Sequence, residues 1–210
     1  MSFRRQLVSV CSAVCIGVTL VMGSPSAAIA AGNDSSAAVI RGQFTQHKYL
    51  AELQQPLVSS GQFVIAAGHG LIWQIEQPLQ VQLVITRQQL VQRSDGEQTT
   101  RIDADQQPAL RVVTAILMAI FETDTDRLQR YFDVKKETAA DGSGWTLTLQ
   151  PATAGVRKFI QHVRIQGQGE AQVQHIEIQQ AGGDHSEIDL QTDSDGPTTL
   201  SEKEKALFSE

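Results

Sequence analysis

Period-two alternation of apolar and polar residues, cut at short intervals by glycine and proline, constrains this chain more than any other feature. Gly61, Phe63 and Ile65 occupy every second position, as do Leu71, Trp73 and Ile75, then Val81, Leu83 and Ile85, with glutamines and Thr86 among the intervening places. Such spacing buries one face of a strand and wets the other. Gly68-His69-Gly70, Gln77-Pro78 and Ser94-Asp95-Gly96 mark turns between these segments. The pattern returns near the C-terminus. Trp145, Leu147 and Leu149 alternate with Thr146, Thr148 and Gln150; Phe159, Gln161, Val163 and Ile165 form the next candidate strand. Ile176 and Ile178 lead through Gly182-Gly183-Asp184 to Ile188 and Leu190, a final hairpin. No strand-helix-strand rhythm runs through the chain, so an antiparallel meander is the expected topology.

Three stretches break the pattern. Ala37 to Gly42 reads as a short helix capped by Asn33, Asp34 or Ser35. Pro108 stands where a helix starts, and Ala109 to Phe121 is apolar nearly all round, with Arg111 its single charge. A helix of that kind needs cover on two sides or an apolar neighbour outside its own core. A second short helix is expected from Thr123, with Asp126 three residues on and Leu128 and Phe132 as its apolar residues. A long sheet with one apolar face must curl around something, and this insertion at 109–132 is the internal candidate to cover it. The expected fold is therefore mainly β within the α+β class: an incomplete, strongly curved antiparallel β-barrel with a helical lid. It would occupy residues 31–192, followed by a tail at 193–210 that forms a helical turn or two or stays loose.

Residues 1–30 have the layout of an export signal. Arg4 and Arg5 precede an uncharged run from Leu7 to Met22, which is shorter than the ~20 residues a spanning helix needs. Small residues and Ala28-Ile29-Ala30 follow, so cleavage is expected after Ala30. Cys11 and Cys15, the chain's 2 cysteines, both lie in this segment. Each follows a valine where lipid attachment wants a small residue, so the chain does not look like a lipoprotein. A mature domain without disulfides in an oxidising compartment must rely on its own core. The net charge of −6 and the lack of a basic cluster argue against nucleic acid and against electrostatic docking on anionic lipid.

Catalytic and metal chemistry find little footing. His47, His69, His162, His175 and His185 are scattered among strands and turns without metal-ligand spacing. His175 and His185 are expected on the paired final strands as possible cross-strand neighbours. Ser59-Ser60-Gly61 sits at a strand entrance, not in a nucleophile elbow, and Asp103/Asp105 and Asp124/Asp126 read as caps and solvated loop. No metal, cofactor or enzymatic activity is expected. The inward candidates Phe44, Phe63, Ile65, Leu71, Trp73, Leu83 and Ile85, facing Ile116, Leu117, Ile120 and Phe121 of the insertion, would by pattern alone more readily fill a solid core than line a cavity.

Gly42-Gln43-Phe44-Thr45-Gln46, then Leu53 with Pro56-Leu57-Val58-Ser59-Ser60-Gly61-Gln62-Phe63, then Gly70-Leu71-Ile72-Trp73 and Gln77-Pro78 resemble the opening of the LolA family, periplasmic carriers of outer-membrane lipoproteins. The likeness is greater to the shorter LolA-related proteins of polyketide or aryl-polyene pigment systems. The resemblance implies an incomplete barrel closed by helices whose cavity shelters the acyl chains of a lipoprotein or another lipid-like cargo. It also implies a monomeric periplasmic protein that receives cargo from an inner-membrane releasing complex and hands it to an outer-membrane acceptor. On the same fold, a lipid- or lipoprotein-sensing module and an accessory of lipid or pigment assembly are the alternatives. The family's latch arginine has no counterpart in Val64–Glu76, which leaves His69 and Arg111 as candidate lid latches. The chain also ends soon after its last strand, where the carriers have an extension.

Overall fold

The computed structural model describes residues 39–103, 125–169 and 172–209. Among them, one sheet contains β1 (Val39–Tyr49), β2 (Leu57–Ala66), β3 (Gly70–Gln77), β4 (Val81–Thr86), β5 (Gln89–Ser94), β6 (Glu97–Asp103), β7 (Phe132–Thr138), β8 (Gly144–Pro151), β9 (Ile160–Gln168), β10 (Gln172–Gln180) and β11 (His185–Thr192). The strand order is β6-β5-β4-β3-β2-β1-β11-β10-β9-β8-β7. All pairings are antiparallel. The meander is thus two runs of hairpins joined where β1 pairs with β11. The sheet is not closed into a barrel, and its edges are β6 and β7, which are consecutive in sequence. Residues 104–131 connect these two edges. The proposed apolar helix, Ala109 to Phe121, lies outside the described residues, as do the expected export signal and the Thr123 cap.

Several expectations are corrected. From Val39 the chain is strand, not helix: Val39–Gly42 pairs with Ala66–Phe63 of β2, and Gly42 also pairs with Thr192 of β11. Two alanines before two β-branched residues suit either state locally, and hydrogen-bonding partners on both sides decide for the strand. The helix expected to carry Leu128 and Phe132 is one turn, α1 (Thr125–Leu128), and Phe132 instead opens β7 opposite Pro151. Phe159 is not in a strand; it follows α2 (Ala154–Arg157) in a turn and is 43% exposed. His175 and His185 are not neighbours. His175 faces Asp189, with Nδ1 2.8 Å from its carboxylate, while His185 stacks on Tyr49 at 4.2 Å.

The tail forms α3 (Glu202–Ser209), whose Leu207 and Phe208, with Val64 of β2, pack against Ile72, Val84 and Val91. These four strand residues lie on the face opposite Phe63, Leu71, Ile85 and Leu90, so this half of the sheet has apolar cover outside as well as inside. Ser201 caps the helix: its hydroxyl accepts from the Glu204 N–H at 3.3 Å, and the Glu204 carboxylate accepts from the Ser201 N–H at 2.7 Å. Arg41 of β1 ties the tail down, donating to the Pro197 carbonyl, to the Thr199 carbonyl at 3.1 Å and to Glu204 at 2.7 Å. Partial burial pushes the Glu204 carboxyl up, but the N–H and hydroxyl of Ser201, then Arg41, outweigh it and hold its pKa below 4.5.

Close packing across strands explains two glycines. A Cβ on Gly42 would stand 2.8 Å from Cζ of Phe63, besides striking the Gln191 carbonyl, and one on Gly167 would strike the Trp145 ring and the Gln172 carbonyl. Gly42→Val is expected to lower stability by about 2 kcal/mol or more, read as a reduced midpoint in urea unfolding. Arg41→Ala is expected to loosen α3 by about 1 kcal/mol or more at neutral pH, seen as faster amide exchange across 202–209. Because the folded-state pKa of Glu204 is depressed, its contribution is present above the ordinary value and is lost as pH falls through the folded one. Protection of these amides in the unsubstituted protein, after allowance for the intrinsic pH dependence of exchange, should therefore fall only below the ordinary carboxylate range.

Candidate functional site

Directly opposed residues in a ladder share a face, so the register defines the inner surface. Phe44 faces Gly61; Phe63 faces Gly42 on one side and Trp73 on the other; Ile65 faces Leu71, Leu71 faces Ile85, and Trp73 faces Leu83. All seven sheet residues singled out from the sequence therefore lie on one side. Phe44, Phe63, Ile65, Leu71 and Ile85 are buried, whereas Trp73 and Leu83 are half-buried. The Phe44 and Trp73 rings stack with centroids 3.7 Å apart, and Phe63 lies 6.1 Å from Trp73. Phe44 and Trp73 stand on strands separated by β2, about 10 Å apart in a flat sheet. Opposite Phe44, a Cβ on Gly61 would strike the Gln74 carbonyl of β3.

Beyond this aromatic group the surface continues onto the other run of hairpins. Leu190 faces Phe44, Ile188 faces Ile176, Ile176 faces Ile165, and Ile165 faces Leu147. Between the two halves lies a cleft of about 380 Å³. Ile40, Phe63 and Ile65 line one side and Val173, Leu190 and Thr192 the other, joined by Gln172 and Ser194. Two of the expected cavity residues, Phe63 and Ile65, are thus in its wall, while Phe44 and Trp73 stack beside it. Ile40, Val173 and Leu190 were missed by sequence reasoning. For Ile40 the available signal was its place two residues before Gly42 and four before Phe44, obscured by a helical reading of Ala37–Gly42.

The inner surface is not uniformly apolar. Trp145 is 6% exposed, and its indole N–H has no hydrogen-bond partner among the described residues, an omission that costs about 1–3 kcal/mol in a buried donor. Toward the end of β1, Gln46 and Lys48 follow Phe44 on the same face; Gln46 faces Ser59, and Lys48 faces Ser186. Lys48, Ser59 and Ser186 are all buried. On the outer surface, Glu177 pairs with Arg164 at 3.4 Å and with His162 at 3.9 Å. Among the described residues no group of three or more His, Cys, Asp or Glu is placed to hold a metal ion.

His69 is exposed in the β2–β3 turn, with its ring 5.9 Å from Phe208 of α3. Arg111, the other latch candidate, and the lid candidates Ile116, Leu117, Ile120 and Phe121 lie outside the described residues. Among the described residues no helix is long and apolar enough to cross a membrane.

Residues 35–202 match the family described as "Outer membrane lipoprotein carrier protein LolA". The chain belongs to the LolA family. That family consists of carrier or binding proteins, and the match indicates no catalytic family. Among solved structures, the chain is similar to LolA superfamily protein NE2245 from Nitrosomonas europaea, at 11% identity over 83% of this chain and 91% of that one, with a TM-score of 0.42. A putative outer membrane lipoprotein-sorting protein domain from Vibrio parahaemolyticus is similar at 10% identity, 84% and 93% coverage and a TM-score of 0.37. For LprF from Mycobacterium bovis the values are 9%, 80% and 93%, and 0.31. No curated protein matches the chain.

Filling the cleft tests whether apolar molecules enter it. Ile40→Trp is expected to weaken binding of a neutral apolar fluorophore about tenfold, because displacing the contacts of two methylenes costs roughly 0.8 kcal/mol each. Circular dichroism should show the sheet retained.

Proposed function

We propose that this LolA-family chain is a periplasmic carrier that shelters the acyl chains of a lipoprotein, or another apolar lipid-like cargo, in transit from the inner to the outer membrane. The observation that carries this reading is the apolar cleft on the inner face of a sheet left open between β6 and β7. Burial of one methylene is worth about 0.8 kcal/mol, so a partly sheltered chain of a dozen carbons gains several kcal/mol without any specific polar contact. Binding of that kind is strong enough to draw a chain from water and permissive enough to release it.

In this reading the insertion at 109–132, whose first part lies outside the described residues, supplies the cover. Its position in the chain, between the two edge strands, suits a flap whose displacement opens the seam. Residues 1–30 would direct export and then be removed, an inner-membrane releasing complex would load the carrier, and an outer-membrane acceptor would unload it. The cargo's tails, not a reacting bond, are what the inner surface accommodates.

Both tryptophans of the chain, Trp73 and Trp145, stand on the inner face and report on occupancy. A brominated fatty acid should quench their fluorescence saturably, Trp73→Phe should remove much of the quenching, and native mass spectrometry of protein purified from its own envelope should show a bound lipid or acylated protein. Absence of quenching together with protein that is always recovered free of lipid would overturn the carrier reading.

A further inference from the structure

The inner surface has a direction. Along β1, Ile40 lines the cleft, Phe44 sits in the aromatic group, and Lys48 is eight residues beyond Ile40, about 27 Å at ordinary strand rise. Lys48 is 5% exposed, Ser59 6% and Ser186 4%. Three adjacent strands bring them together: Lys48 directly faces Ser186 across β1 and β11, and Gln46, the next residue on that face, directly faces Ser59 across β1 and β2. Opposed side chains start about 4.5–5.5 Å apart at Cβ, within easy reach of a lysine stem. The result is one buried cation, two hydroxyls and an amide at one end of a face that elsewhere carries mostly aliphatic and aromatic side chains, with the exposed Lys136 over the Trp145 ring near the β7 edge.

We propose that Lys48, with Ser59, Ser186 and Gln46 beside it, receives the oxyanion head, a carboxylate or phosphate, of a cargo whose hydrocarbon tail runs along the inner face toward the Ile40 end. The proposal rests on the carrier reading and adds a polarity to it. An ammonium withdrawn from water is costly unless it is paired, and hydrogen bonds to a charged acceptor are stronger than those to a neutral one. Lys48 is already engaged within the protein, so an arriving anion would exchange with an existing partner. The hydroxyls and the amide supply the further donors that an oxyanion's several lone pairs require. Long-range charge does not produce such a preference, since the net charge of −6 repels anions. Selection for an anionic head therefore has to be local.

The test is displacement of a bound neutral apolar fluorophore from the purified protein by oleate, oleyl phosphate, methyl oleate and oleyl alcohol, with acetate and inorganic phosphate as tail-free anions. At least one of the two anionic lipids should displace the probe at about tenfold lower concentration than the neutral ones. The free anions should not displace it, which separates a lipid head group from a free ion as the source of the charge. Lys48→Met should bring anionic lipids to the level of neutral ones without changing the neutral ones, Lys48→Arg should keep the preference, and Ser186→Ala should reduce it. Equal displacement by anionic and neutral lipids, or a preference that survives Lys48→Met, would overturn the head-group site and leave the carrier reading intact. Failure of every lipid to displace the probe would overturn both.

Discussion

Where Phe44 faces Gly61 and Phe63 faces Gly42, two large rings project over strands that offer no side chain beneath them. Trp145 over Gly167 repeats the arrangement in the other half of the sheet. A flat sheet would leave the partners of Phe44 and Trp73 on separate columns, with β2 between them. Instead their rings stack at 3.7 Å, which requires an inward-bending surface with room at its centre. Glycine weakens a strand locally, and an aromatic ring laid across it restores contact area while permitting the bend. The apolar cleft beside these rings depends on that exchange of volume. A larger residue at 42 would strike the Phe63 ring, and one at 61 the Gln74 carbonyl of β3.

The sheet's other face follows a different economy. Over β3, β4 and β5 the outward positions Ile72, Val84 and Val91 are apolar and lie beneath Leu207 and Phe208. Over β9, β10 and β11 the outward positions are Arg164, Glu177, His175 and Asp189, which pair among themselves in view of solvent. One half is therefore a layered core with a helix outside, and the other a single-sided sheet. Arg41, on the central strand, links the helix to the sheet through Glu204 and two tail carbonyls. The apolar cleft on the inner side is thus kept apart from the residues that hold the outer side together.

Legibility in the sequence tracked how much each strand depended on its neighbours. Strands β2, β3 and β4 and the final hairpin were readable because each has one wet and one dry side or a turn of distinctive glycine content. Strand β7 was not: after Phe132 and Val134 it runs Lys135, Lys136, Glu137, Thr138, exposed at the sheet's edge, where charged residues discourage further pairing and erase the alternation. The outer position of α3 had a signal that the alternation hid. Leu71-Ile72-Trp73, Leu83-Val84-Ile85 and Leu90-Val91 are continuous apolar runs, as expected of strands covered on both faces. Ser201 and Glu204 likewise spell out a capping box, which favours the two-turn helix seen here over a loose tail.

By itself the sequence determined the class of fold, the turns and the side on which Phe44, Phe63, Ile65, Leu71, Trp73, Leu83 and Ile85 would lie, because side-chain direction in a strand follows from position parity alone. Tertiary structure decided that Val39–Gly42 would be strand, that β1 would pair with β11, and that a cleft would open between Ile65 and Val173. It also placed a buried lysine among hydroxyls contributed by two other strands. These outcomes require partners distant in the chain, and no local periodicity records which distant segment will supply the hydrogen bonds or the volume.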